Sequence, residues 1–130
     1  MLNMIIVAAL MLGACGKDNA DENKIGDLKF EVISDDKLPD ELKTIINERK
    51  GEMFKTTYAD ANNLYIIAGY GKQPTGGYSI SVSELYETKN GIHFKTEFLG
   101  PSKSEKVTQS VTYPYIVVKL EYTDKSVVFK

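Results

Sequence analysis

Beyond Gly51 no helical period is left in this sequence. The remaining residues fall into a series of short runs in which apolar and polar side chains alternate, each closed by turn-forming residues. Tyr78, Ile80 and Val82 alternate with Ser79, Ser81 and Ser83, and Ile92, Phe94 and Thr96 alternate with His93, Lys95 and Glu97. A pleated strand sends successive side chains to opposite faces, so this pattern commits most of the chain to half-buried strands. Leu64–Ala68 (LYIIA) is apolar throughout and reads as a central strand covered on both faces. Phe54–Tyr58, Val111–Leu120 and Val127–Phe129 complete the strand candidates, with Val111–Leu120 the longest. Turns are expected at Asp60-Ala61-Asn62-Asn63, at Lys89-Asn90-Gly91 and at Thr123-Asp124-Lys125. Asn-Gly is the strongest short hairpin signal, because a type I′ turn needs φ > 0 at both central positions.

Upstream, Leu28, Phe30 and Val32 alternate with Lys29 and Glu31, predicting one more strand. Leu38–Lys50 then places Leu38, Leu42, Ile45 and Ile46 on one face of a helix. Pro39 suits its first position, Asp40 and Glu41 suit the positive end of its dipole, and Arg49 and Lys50 suit the negative end. Gly51 fits the residue just past the end. The fold class predicted is α+β: a mainly antiparallel sheet of about six or seven strands with one N-terminal helix packed on it. A small β-barrel with one helix is the alternative.

The first 14 residues carry no charge, and Met4–Leu12 is an apolar stretch of nine. A membrane-spanning helix needs about 20 apolar residues. Nine fits the core of a signal peptide, although no Lys or Arg precedes it here. Leu12-Gly13-Ala14-Cys15 comes next and resembles the lipobox of bacterial lipoproteins. Its small residues would admit the signal peptidase, and the Cys15 thiol would take a diacylglycerol thioether. Residues 1–14 are therefore expected to be a signal peptide, 15–26 a flexible tether and 27–130 a single globular domain. The tether expectation rests on Gly16–Gly26, which is polar and has Ile25 as its one large apolar residue. Two acyl chains anchor a protein stably where one is marginal. The expected location is the extracytoplasmic face of the cell membrane, held by lipid.

Sixteen Lys and Arg against 18 Asp and Glu leave a net charge of −2, which gives no excess for nucleic acid. The chain has one Cys and one His, so no internal disulfide and no cysteine–histidine pair is available once Cys15 is acylated. A serine nucleophile needs a base, and His93 alternates along a strand where an exposed or capping role is expected. Metal sites need several ligands, and Asp18, Asp21 and Glu22 lack calcium-loop spacing. Glu84 and Glu87 read as solvated charges. Gly69-Tyr70-Gly71 does not continue as a dinucleotide fingerprint, since Pro74 stands where the third glycine belongs. No catalytic residue, metal site or cofactor is predicted.

Gly71-Lys72-Gln73-Pro74-Thr75-Gly76-Gly77-Tyr78 runs straight into a strand, and Val111-Thr112-Tyr113-Pro114-Tyr115-Ile116 comes about 35 residues later. With Pro101 between them, these segments resemble the C-terminal domain of the PrcB family, the protease-complex subunit lipoproteins, over roughly residues 59–122. The resemblance implies a non-catalytic accessory protein that binds a partner, such as a secreted protease. A secreted inhibitor-like or envelope ligand-binding protein is the alternative. Pro74, Gly76 and Gly77 are read as a structural turn, the glycines supplying φ > 0. Tyr70, Tyr78, Tyr113 and Tyr115 are expected near one another, and Tyr78, Tyr113, Pro114 and Tyr115 are the candidate partner contacts. Proline lacks an N–H, so regular pairing is expected to begin only after Pro114.

Overall fold

The computed structural model describes residues 24–130. They form eight strands and one α-helix: β1 Lys24–Asp27, β2 Glu31–Val32, α1 Asp40–Arg49, β3 Met53–Ala59, β4 Asn63–Tyr70, β5 Ser79–Thr88, β6 Ile92–Leu99, β7 Tyr115–Glu121 and β8 Val127–Phe129. The α+β class holds. The strands divide into two four-stranded sheets, ordered β1-β5-β6-β8 and β2-β7-β4-β3, and neither closes into a barrel.

The layers are sheet, sheet and helix. Leu64, Ile66 and Ala68 of β4 point to the other sheet and pack with Leu85, Phe94, Ile116 and Val118. Tyr65 and Ile67 point the other way, to Leu38, Leu42 and Ile46 beneath the helix. β4 is thus buried on both faces, as its unbroken apolar run requires. Two sheets stand where the alternation predicts one, because a period of two identifies strands but is silent about which strands share a sheet.

Several boundaries move. Leu28–Val32 is not one strand. β1 pairs with β5 in one sheet and β2 with β7 in the other, so the chain crosses between sheets there. Lys24–Gly26, assigned to the tether for its polarity, lies in the edge strand β1. Phe30 and Val32 stay exposed, while Ile33 enters the core beneath the helix. Pro39 is the N-cap rather than the first helical residue, and Ile45 is only half-buried. The helix ends at an α-conformation Lys50, and Gly51 does not adopt the left-handed form. β7 begins at Tyr115, immediately after Pro114, as expected, and β5 is the longest strand. β8 runs parallel to β6, the one parallel pairing among the described strands.

Turn chemistry agrees with the sequence at one hairpin and departs from it at another. Asp60 Oδ1 accepts from the N–H groups of Asn62 at 2.9 Å and Asn63 at 2.8 Å, closing the β3–β4 turn. The β5–β6 loop is not a type I′ turn, since Gly91 has no positive φ. There the Thr88 hydroxyl accepts from Asn90 N–H and Gly91 N–H, and a Cβ on Gly91 would lie 2.9 Å from the Ser126 carbonyl. Gly91 therefore serves the close approach of the segment leading into β8.

The two ends of the sandwich differ. One end holds the β5–β6 turn and the start of β1, where Lys24 pairs with Thr88. The other end collects the finish of β4 and β6, the start of β3, β5 and β7, and the long loop after Leu99.

Candidate interaction surface

The segments singled out in the sequence meet at that second end. Gln73 and Thr112 exchange two backbone hydrogen bonds, at 2.8 and 3.0 Å. Thr112 Oγ1 donates to the Thr75 carbonyl at 2.7 Å, and Gly76 N–H donates to the Thr108 carbonyl at 3.0 Å. The Gly71–Tyr78 loop and the Gly100–Pro114 loop are thereby stitched into one surface, although they are far apart in sequence.

Glycine placement results from this stitching. Gly77 has φ of 89° and sits against Val107 and Pro101, where a Cβ would come within 2.4 and 3.0 Å of side-chain carbons. Gly76 does not take a positive φ. It admits Thr108, whose hydroxyl would lie 2.6 Å from a Cβ there. The second positive φ belongs to Gly71, at 77°. Pro74 is exposed between the Gln73 bridge and the Thr75 carbonyl.

The four tyrosines form two pairs rather than one cluster. Tyr70 and Tyr78 stack on Phe98 with centroids 4.2 and 5.3 Å away, and Tyr70 also hydrogen-bonds the Thr96 hydroxyl. This three-ring stack closes the end of the core between the sheets. Tyr113 and Tyr115 lie on the helix side. Tyr115 donates its hydroxyl to Asp35, and its ring packs at the margin of the core beneath the helix. Burial first, then the bond to Asp35 and the Asp35 charge, push the phenol well above its usual range. Tyr113 stays exposed, with Lys50 Nζ 5.4 Å from its ring centroid. Pro114 is half-buried, and its carbonyl accepts from Tyr70 N–H at 3.0 Å.

The sign of this shift makes the Tyr115 arrangement testable. A raised phenol pKa contributes stability that is complete below the unfolded value of 10.0 and is lost as pH climbs through the higher folded value. Tyr115→Phe should therefore be less stable than wild type at neutral pH by about 1 kcal/mol, the worth of one hydrogen bond. The difference should shrink in denaturant melts made above about pH 10. A constant difference across that range would disprove the assignment.

Sequence reasoning missed three members of this surface. Met53 is 68% exposed, Leu99 60% and Val111 44%, and all three are at this end. Each lies at a strand margin or in a loop, where alternation no longer says which side faces water. Arg49 stands over the Phe54 ring at 5.1 Å, beside Met53. The arrangement offers separated apolar side chains among lysines and an arginine, on a backbone locked by loop-to-loop hydrogen bonds.

His93 is at the outer face of the other sheet, half-buried rather than exposed, its ring stacked 4.9 Å from Tyr86. Its Nδ1 has no hydrogen-bond partner among the described residues. No group of three or more His, Cys, Asp and Glu side chains is brought together there as a metal would require, among the described residues. No helix among them is long and apolar enough to cross a membrane. Cys15 and the Leu12-Gly13-Ala14-Cys15 motif lie outside the described residues.

Residues 64–121 match the family model described as PrcB C-terminal. The matched span runs from β4 through β7 and contains both stitched loops. The match bears out the resemblance carried by Pro74–Tyr78 and Tyr113–Tyr115. No curated protein matches the chain, and no solved structure does.

Proposed function

We propose, taking the match of residues 64–121 to the PrcB C-terminal family as the premise, that this chain is a lipid-anchored, non-catalytic accessory protein. It docks a protein partner, such as a secreted protease, through the loop surface at Gly71–Tyr78 and Gly100–Pro114. The observation that carries this reading is the convergence of the family-like segments on one end, where Met53, Leu99, Val111 and Tyr113 stay in solvent. Exposed apolar and tyrosine side chains on a rigid backbone bind with little ordering cost. The anchor part rests on Leu12-Gly13-Ala14-Cys15 alone.

The experiment is capture of partners from intact cells fed a clickable fatty acid, using wild type, Cys15→Ala and a Tyr113→Ala, Val111→Ser double variant. Wild type should carry label and recover a protein partner. Cys15→Ala should lose the label. The double variant should melt like wild type yet recover at least tenfold less partner, the effect of losing about 1.4 kcal/mol of contact energy. Equal label on Cys15→Ala removes the anchor. Undiminished recovery by the double variant removes the docking surface.

A further inference from the structure

Sheet edges are where a fold invites another strand, and three of the four edges here are blunted. β1 is bulged between Lys24 and Gly26, β2 has two residues, and β8 has three. The fourth, β3, is different. It runs seven residues, Met53–Ala59, in unbroken register with β4 and without proline. Among the described residues nothing pairs with its outer side.

The phase of the ladder says which groups point outward; among them the Thr57 carbonyl takes a 3.5 Å contact from the Thr56 hydroxyl. Asp60 N–H donates to the Asn63 carbonyl at 3.0 Å, so this pair is a hydrogen-bonded one. Antiparallel ladders alternate, so Phe54, Thr56 and Tyr58 turn their backbone groups to β4. Met53, Lys55, Thr57 and Ala59 turn theirs outward.

We propose that β3 pairs antiparallel with β3 of a second copy about a two-fold axis at Thr56, joining two sheets into one of eight strands. This register sets the outward residues against each other, Lys55 against Thr57 and Met53 against Ala59. All of them then exchange backbone hydrogen bonds. Phe54 falls opposite Tyr58 of the second copy, each ring leaning inward onto Gly69 or Tyr65 of its own sheet, and Thr56 falls opposite its own equivalent. The strand's one charge meets a threonine. Sliding by two residues one way places Lys55 on Lys55. Sliding the other way places Phe54 opposite Asp60. The side chains therefore select a single self-complementary register. Glu52 and Asp60 face each other just outside the paired segment, where solvent screens them. This interface shares Met53 with the loop surface of the proposed function but does not depend on that reading.

The test is the oligomeric state of the purified chain by sedimentation over a concentration series. Wild type should be a dimer. Thr57→Pro deletes an outward N–H and no bond to β4, so it should sediment as a monomer with a near-wild-type melt. Thr56→Lys sets like charges across the axis and should dissociate roughly tenfold more readily or worse, with dimer returning at high salt. It keeps the test decisive should Thr57→Pro fail to fold. A wild type that stays monomeric throughout, or a dimer that Thr56→Lys leaves intact at low salt, overturns the proposal.

Discussion

Replacing Gly77 by valine should destabilise the domain by about 3 kcal/mol, from two causes that act together. A branched side chain at φ of 89° occupies a region that residues with a Cβ rarely adopt, which costs roughly 1–3 kcal/mol. Its Cβ would also collide with Val107 Cγ1 at 2.4 Å and Pro101 Cβ at 3.0 Å, and forced shifts of that kind cost roughly 1–3 kcal/mol more. Relief comes from moving the Gly100–Pro114 loop, so the effect reaches the proposed docking surface as well. Chemical denaturation should show a lower midpoint with an unchanged slope. Gly77→Ala should fall between the two, retaining the strain and shedding part of the clash. An unaltered midpoint for Gly77→Val would mean that the loop yields freely, and the surface could not then be called rigid.

The larger loss is expected at Phe94. Its ring is 2% exposed and meets Phe129 edge-on at 6.1 Å, in the core between the sheets. Phe94→Ala removes the ring and leaves a cavity between two sheets that are each held by their own hydrogen bonds. Truncations of this kind cost about 3–5 kcal/mol. That is a large part of the roughly 5–15 kcal/mol that holds a typical domain together. Thermal unfolding should report a sharply lower transition. Phe129→Ala should cost less, because its ring is only half-buried and lies on the short strand β8. Equal costs at the two positions would contradict this description of the core.

Most strands were legible because alternation is a local property. Ile92–Glu97 and Tyr78–Ser83 declare their faces without reference to any partner. β4 was legible for the opposite reason, since five apolar residues in a row admit no solvent face. Pro114 was legible as a boundary because a missing N–H has one consequence in a sheet. What was illegible depended on long-range pairing. Leu28–Val32 has a clean period-two pattern, yet the chain changes sheets within it, and the partners that decide this, β5 and β7, lie far downstream. Gly76 and Gly77 are identical in sequence terms. Only the packing of Thr108 and Val107 assigns close approach to one and a left-handed backbone to the other. The tyrosines failed as one cluster because β4 and β7 present neighbouring residues to opposite faces. Tyr70 therefore joins Phe98, while Tyr115 goes to Asp35. Met53, Leu99 and Val111 could not be assigned to the surface without knowing which strand ends are neighbours.

The pairing of Lys24 with Thr88 gives the domain a polarity. β5 runs ten residues from Ser79 beside the stitched loops to Thr88, about 30 Å at roughly 3.3 Å per residue. The segment that precedes Lys24 therefore joins the domain at the extremity remote from Tyr113 and Val111. A particle moored through its N-terminal segment would carry those side chains at the extremity farthest from its point of attachment. The same polarity recommends coupling the protein to beads or sensor chips by its N-terminal segment, since immobilisation there leaves the loops accessible.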